Sequence, residues 1–326
     1  MKICFLDKTS FSYNSNHINT PSLRGAETAL VNMAFCLNKL GHQVTIINNC
    51  PKNETIQNIK WLNINTLKDK LNFDLSISNN DCRFFDIVNS NKKILMSHSI
   101  QSFEKFFRKH QFFAYIKHKP KLALLSKYHK SKRSYLTRIF GYFYLNYGID
   151  DIFINTSLND NSFIDKNLAI FTSRADRNLD LLIDIWKTKI YPEFPMGKLL
   201  TTPAKISENN SNIFFRNLGS RENLIKDLCK SRLLIMPGHK AELYCLAAEE
   251  ARELCIPIVT LGIGSLSERV VHGKTGFIAK NINEFAKYSL EIFSNDVLWN
   301  EFRSNLLNLR GTKTWLKCSE NLIKNI

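Results

Sequence analysis

Short, uninterrupted apolar runs recur along the chain, separated by segments whose apolar positions return every three to four residues. Ile3 to Leu6 is the first run, and its lack of alternation is the pattern of a strand buried on both faces. A polar, Ser/Asn-rich loop to about Pro21 follows. Ala29, Leu30, Met33, Ala34, Leu37 and Leu40 then trace one helix face, with Gly41 placed to end it. Val44 to Ile47 reads as a second buried strand. Strand, helix and strand in this order form a right-handed βαβ unit, which implies a parallel sheet.

The pattern predicts further strands at Leu75 to Ile77, Ile94 to Met96, Leu122 to Leu125 and Ile152 to Ile154. The stretch from Asn155 to Asn167 is polar and weakly patterned, and a domain boundary is placed there. Beyond it the alternation restarts, with a strand at Leu168 to Phe171, a helix at Leu179 to Trp186 and a strand at Lys198 to Thr201. Later strands are read at Leu233 to Met236, Ile258 to Thr260 and Gly276 to Ile278, and amphipathic helices at Phe285 to Phe293 and Leu298 to Leu309. The expectation is an α/β protein of two Rossmann-like βαβ domains facing across a cleft, with ligands at the carboxyl ends of the strands. Residues 1–160 form the first domain, 161–310 the second, and 311–326 a helix packing back on the first.

Composition changes this picture in two ways. A net charge of +16 over 326 residues points to an anionic partner: phosphorylated substrates, an anionic membrane surface or nucleic acid. The eight cysteines show no close CxxC spacing and several lie in apolar runs, as expected for reduced thiols in a cytoplasmic protein rather than a disulfide framework. No apolar run approaches the roughly 18 to 20 residues of a spanning helix.

The chemistry concentrates between Met236 and Ala279, which holds Glu242, Glu250 and Glu268 with Gly262, Gly264, Gly273 and Gly276. A strand ending at Met236-Pro237-Gly238 leads through a turn into a helix read from Tyr244 to Leu254. The N–H groups at such a helix start lack intrahelical partners and lie at the positive end of its dipole, which suits a diphosphate. Glu242 before the helix and Glu250 within it are acceptor-only groups suited to sugar and ribose hydroxyls.

The segment Glu242-Leu243-Tyr244-Cys245 through Glu250 is similar to the E-x7-E motif of retaining glycosyltransferases of family 4, which have the GT-B fold. Ile256-Pro257-Ile258-Val259-Thr260 and Gly264 through Glu268 to Gly273-Lys274-Thr275-Gly276-Phe277-Ile278 continue that resemblance in order. Further landmarks are Arg24-Gly25-Ala26-Glu27, Gly41-His42-Gln43-Val44, Tyr147-Gly148-Ile149-Asp150 and the segment Phe171 to Leu182. The resemblance implies that Glu250 binds the ribose and Glu242 the donor sugar, that Arg177 and Arg174 hold the diphosphate, and that the Gly25 backbone approaches the donor. It also implies that Tyr244 and Cys245 lie at the helix start that meets the diphosphate, that Glu268 orients the glycine loop or assists with the nucleotide, and that His98 faces the reacting carbon. The implied reaction takes a nucleoside-diphosphate sugar as substrate and needs neither cofactor nor metal, and no Asp-x-Asp motif stands out. Relatives of this type build surface polysaccharide or lipopolysaccharide on glycan or lipid-linked acceptors. Four positions depart from the family pattern: Arg24, Asn178, Cys245 and Cys255 stand where glycine is usual.

From Lys105 to Arg138 there are eleven Lys or Arg residues, and no Asp or Glu lies between Glu104 and Asp150. Phe103, Phe106, Phe107, Phe112, Phe113 and Tyr115 interleave with these cations. An anionic membrane surface, nucleic acid and a plain solvated helix face all fit such a stretch. No nucleic-acid motif accompanies it, so the reading taken is peripheral attachment at the inner membrane face, without nucleic acid. Two rival functions stay open: a degenerate sugar-nucleotide or glycan binder, and a basic nucleic-acid-binding protein on a Rossmann scaffold. A dinucleotide oxidoreductase is disfavoured, since no GxGxxG follows the first strand.

Overall fold

The computed structural model describes residues 1–18, 23, 25–100, 102–158, 164–204 and 211–326. The chain divides into two compact units, Met1–Gly148 with Lys313–Ile326, and Ile149–Thr312.

The first unit is built on an eight-stranded sheet. Its strands are β1 (Lys2–Leu6), β2 (Gln43–Asn48), β3 (Glu54–Ile56), β4 (Ile59–Asn63), β5 (Leu71–Asn79), β6 (Val88–Met96), β7 (Lys121–Leu124) and β8 (Tyr142–Tyr144). They lie in the order β3-β4-β2-β1-β5-β6-β7-β8, and β3, against β4, is the antiparallel member. In β1, Ile3 to Leu6 are fully buried, as the continuous apolar run requires of a central parallel strand. Helix α1 (Gly25–Lys39) buries Ala29, Leu30, Met33, Ala34 and Leu37, and Gly41 follows it at φ +84°. Helices α2 (Phe103–Arg108) and α3 (Phe112–His118) join β6 to β7, and α4 (Lys127–Ser131) precedes β8. The C-terminal helix, Trp315–Lys324, packs against α1. Its approach depends on Gly148, where an added Cβ would fall 2.2 Å from the Trp315 backbone nitrogen.

Ile152–Ile154, expected as a strand, belongs instead to the helical turn α5 (Asp151–Ile154). Asp150 at its N-cap and Asp151 in its first turn place negative charge where a helix start favours it. The last strand of the first sheet is β8.

The second unit carries a six-stranded, all-parallel sheet. Its strands are β9 (Asp165–Ile170), β10 (Lys198–Thr201), β11 (Ile213–Phe215), β12 (Ser231–Gly238), β13 (Ile258–Ile263) and β14 (Gly276–Ile278), in the order β11-β10-β9-β12-β13-β14. Every residue of the central strand β12 is buried. Helices α6 (Leu179–Ile185), α7 (Arg221–Lys230), α8 (Leu246–Glu253), α9 (Ile282–Ser294) and α10 (Asp296–Leu307) complete the unit. All eight cysteines are free thiols, six of them buried.

Candidate functional site

In each sheet the strand order reverses once, between β1 and β5 in the first and between β9 and β12 in the second. Crossovers diverge from such a point and leave a crevice outside the carboxyl ends of the two strands, where doubly wound sheets bind ligands. In the second unit that crevice is flanked by the segments that follow Ile170 and Gly238. They carry most of the residues singled out from the sequence.

Arg177 sits at the foot of α6 and makes the central contacts. Its Nη1 donates to His239 Nδ1 at 3.0 Å, and its Nε lies 3.9 Å from Glu242 Oε2. The Ala241 N–H also donates to His239 Nδ1, at 3.1 Å. His239 Nδ1 is the acceptor that both donors share. His239 thus fixes the Arg177 guanidinium beside Glu242, a role that the sequence did not disclose. The Glu242 carboxyl is pushed up from its usual range by burial; Arg177 and Arg174 oppose this and Asp176 adds to it.

Two glycines hold this loop in shape. The Glu242 carbonyl accepts from Ser265 N at 2.9 Å, tying the loop to the Gly264–Glu268 turn. A Cβ at Gly264 would fall 2.4 Å from the His239 carbonyl oxygen, and one at Gly238 would fall 2.5 Å from that of Ile263. Only glycine lets the two loops approach this closely.

Cys245 is the N-cap of α8 and makes no side-chain cap bond. The first-turn N–H groups of that helix lack intrahelical partners and lie at the position where an anion would dock. The Cys245 side chain is fully buried, and burial pushes its thiol well above the usual range, so it stays protonated and inert. Its φ of −86° is ordinary, so the departure from glycine costs the backbone nothing. Glu250 lies one turn into α8. Burial raises its carboxyl, opposed by Arg221 and Arg216. Its neighbour Glu249 faces the interior instead. Glu249 is fully buried between Arg269, at 2.8 Å, and Arg252, at 2.9 Å, while Arg252 also meets Glu253. The Arg269 guanidinium stacks 4.2 Å from the centre of the Tyr244 ring. Tyr244 is nearly buried, and the structure gives it this packing role at the start of α8. The sequence reading missed the Glu249–Arg269–Arg252 network; its one trace is the doubled Glu249-Glu250.

The remaining predicted residues separate. Glu268 is exposed on the Gly264–Glu268 turn. Arg174 is exposed and pairs with Asp176 at 2.7 Å, so the Arg177–His239–Glu242 cluster forms without it. Two departures from the family pattern keep the backbone that glycine would adopt: Asn178 has φ +64° and Cys255 φ +56°. Asn178 adds a bond from Nδ2 to the Gly238 carbonyl at 2.5 Å, joining the two flanks of the crevice. Arg24 lies outside the described residues.

In the first unit, a cavity of about 630 Å³ opens at the switch point between β1 and β5. Asp7, Glu27, Asn79, Arg83 and Lys109 are among its lining residues. Asp7 accepts from Tyr13 Oη at 2.6 Å and from Asn79 Nδ2 at 3.1 Å; burial still raises its carboxyl, against these bonds. Gly25 opens α1 and is exposed. His98 follows β6, shares a hydrogen bond between Nε2 and the Tyr147 hydroxyl, and has its pKa lowered to about 4 by burial, so the ring is neutral at pH 7. A larger cavity, about 890 Å³, lies at the amino ends of β1, β5 and β6. That end of a parallel sheet has no diverging crossovers, and size alone does not make it the site.

Solved structures place this architecture. HepE of Anabaena, solved with UDP, superposes with a TM-score of 0.71 at 16% identity over 100% of this chain and 99% of that one. WaaG, a glycosyltransferase involved in lipopolysaccharide biosynthesis, gives 0.68 at 12% identity over 98% of each chain. Sucrose-phosphate synthase of Thermosynechococcus elongatus gives 0.67 at 13% identity over 99% of this chain and 97% of that one. The fold is that of the GT-B glycosyltransferases. Residues 162–307, nearly all of the second unit, match the family Glycosyl transferases group 1, so this unit is a group 1 glycosyltransferase domain. No curated protein matches the chain by sequence.

Proposed function

We propose that the protein is a retaining glycosyltransferase of family 4. It transfers a sugar from a nucleoside-diphosphate sugar to a hydroxyl of a glycan or lipid-linked acceptor, in the synthesis of surface polysaccharide or lipopolysaccharide. The observation that carries this reading is the cluster at the switch point of the second sheet. There a fixed guanidinium, Arg177, stands beside a half-buried carboxylate, Glu242, with the start of α8 adjoining and Glu250 one turn further on.

Each group meets a part of the donor. Arg177 and the first-turn N–H groups of α8 take the diphosphate, which gathers negative charge as the sugar departs. The desolvated Glu250 carboxylate accepts from the ribose hydroxyls and Glu242 from those of the sugar. In both cases hydroxyl donors replace the water that burial removed. The Gly25 backbone lies at the family's donor loop. His98 acts as a neutral hydrogen-bonding ring toward the sugar, with Tyr147 holding its Nε2. The second unit is the donor domain and the first the acceptor domain, where Asp7 and Asn79 in the β1–β5 cavity read acceptor hydroxyls. Because side chains and amides meet the diphosphate charge, no metal is required. HepE has been solved in complex with UDP and with UDP-glucose, so uracil donors are the first to try.

The test is transfer, or slow hydrolysis, of UDP-sugars and then GDP- and ADP-sugars, followed by proton NMR of the first-formed anomer. The expected product keeps the donor's anomeric configuration, and the rate is unchanged by EDTA. An inverted product, or activity abolished by EDTA and restored by a divalent cation, contradicts the mechanism.

A further inference from the structure

The connections β6–β7 and β7–β8 advance across the first sheet in the same direction. Right-handed crossovers therefore put α2–α3 and the segment containing α4 and the Tyr135–Arg138 turn on one face of that sheet. The β1–β2 crossover runs the other way, which puts α1 and the C-terminal helix packed on it on the opposite face. The two connections meet through Tyr115 and Phe140, whose rings lie 5.0 Å apart.

On this face, large apolar side chains stand in solvent. Phe113 is 78% exposed and Tyr135 74%, and Phe107, Ile116, Leu136 and Ile139 are also exposed. Core demand does not explain them, since the inward side of the same segments is filled by the buried Phe106 and Tyr115. Arg108, Lys119 and Lys132 are exposed among them. Arg133, counted with the cations in the sequence, is buried and donates to Ser97 at 2.5 Å, so it belongs to the interior. With no acidic residue between Glu104 and Asp150, the charge of these segments is one-signed. Asp86 is brought in from outside them and meets Lys117 and His118.

We infer that this face of the first unit is a docking surface for an anionic lipid bilayer. Apolar tips between cations match the two layers of such a surface. Phe113, Tyr135, Leu136 and their neighbours enter the interfacial region, while Arg108, Lys119 and Lys132 meet headgroup phosphates. Nucleic acid would use the cations and aromatic rings but has no use for Ile116, Leu136 and Ile139. The inference does not depend on the donor chemistry.

The experiment is flotation of the full chain with vesicles of phosphatidylcholine alone and with 30% phosphatidylglycerol. It uses the wild type, the triple variant Phe113→Ser, Tyr135→Ser, Leu136→Ser, and the triple variant Arg108→Glu, Lys119→Glu, Lys132→Glu. All six positions are exposed, so both variants should keep the wild-type circular dichroism and melting temperature. Partition at least tenfold stronger into the anionic vesicles, weakened at least fivefold by either variant, is the expected result. No binding to anionic vesicles overturns the inference, as does equal partition by the wild type and the apolar variant. Binding of a single-stranded oligonucleotide that displaces the vesicles and is unaffected by the apolar variant also overturns it, and makes the surface a nucleic-acid site.

Discussion

Asn178 and Cys255 show how single residues carry a backbone that glycine usually supplies. Both sit at positive φ, and Asn178 offsets the cost of that conformation with its bond to the Gly238 carbonyl. Glu250 shows the opposite balance, in which function opposes stability. Its carboxyl pKa is raised in the folded protein by burial, so its contribution to stability is present below the unfolded-state pKa and lost as pH rises through the folded one. At pH 7 the ionised group therefore destabilises the unliganded protein. Glu250→Gln is expected to raise the melting temperature without ligand at pH 7 and to remove nucleotide binding. A lower melting temperature in calorimetry would show that Arg221 and Arg216 hold Glu250 as a structural ion pair.

At the scale of elements, the site depends on two loops pressed together where β12 and β13 end. Gly264→Ala places a Cβ 2.4 Å from the His239 carbonyl at φ +78°, whereas Gly41→Ala at φ +84° meets nothing within 4 Å. Both variants bear the left-handed backbone penalty of about 1–2 kcal/mol, and Gly264→Ala adds the clash. The expected outcome is a modest loss of melting temperature for Gly41→Ala with nucleotide affinity retained. Gly264→Ala should lose more, together with at least tenfold in affinity; equal behaviour would deny the loop contact a role. The central strands were legible because burial on both faces leaves a continuous apolar run, as in β1, β12 and β13. The hairpin β3–β4 and the edge strands β8 and β11 were not legible. Polar residues such as Glu54 and Lys60 break the run in β3 and β4, while β8 and β11 are apolar runs of only three residues. Helix α7 escaped because Leu228 is fully buried and Ile225 nearly so, too few residues to mark a period in a polar segment. At the site, the resemblance to the E-x7-E motif gave Glu242 and Glu250. It could not show the ion pairs of the interior Glu249, nor bring His239 to Arg177, because those contacts depend on which side of a helix or turn faces the crevice.

For the whole molecule, the two sheets repeat one rule: chemistry gathers where the strand order reverses. In the second unit the result is a cation, two desolvated carboxylates and a helix start. In the first it is a cavity with a buried Asp–Tyr–Asn group. The +16 charge is concentrated in part on the face carrying α2 and α3 rather than spent wholly at the diphosphate site. No helix among the described residues is long and apolar enough to cross a membrane. The central claim is that the second unit binds a nucleoside diphosphate through Arg177 and Glu250. The most direct measurement is isothermal titration of UDP, GDP and ADP into the wild type, Arg177→Ala and Glu250→Ala. The account predicts that one diphosphate binds the wild type and that each substitution weakens it at least tenfold while leaving the folded content unchanged. No heat from any of the three at millimolar concentration, or equal binding by the variants, would contradict it.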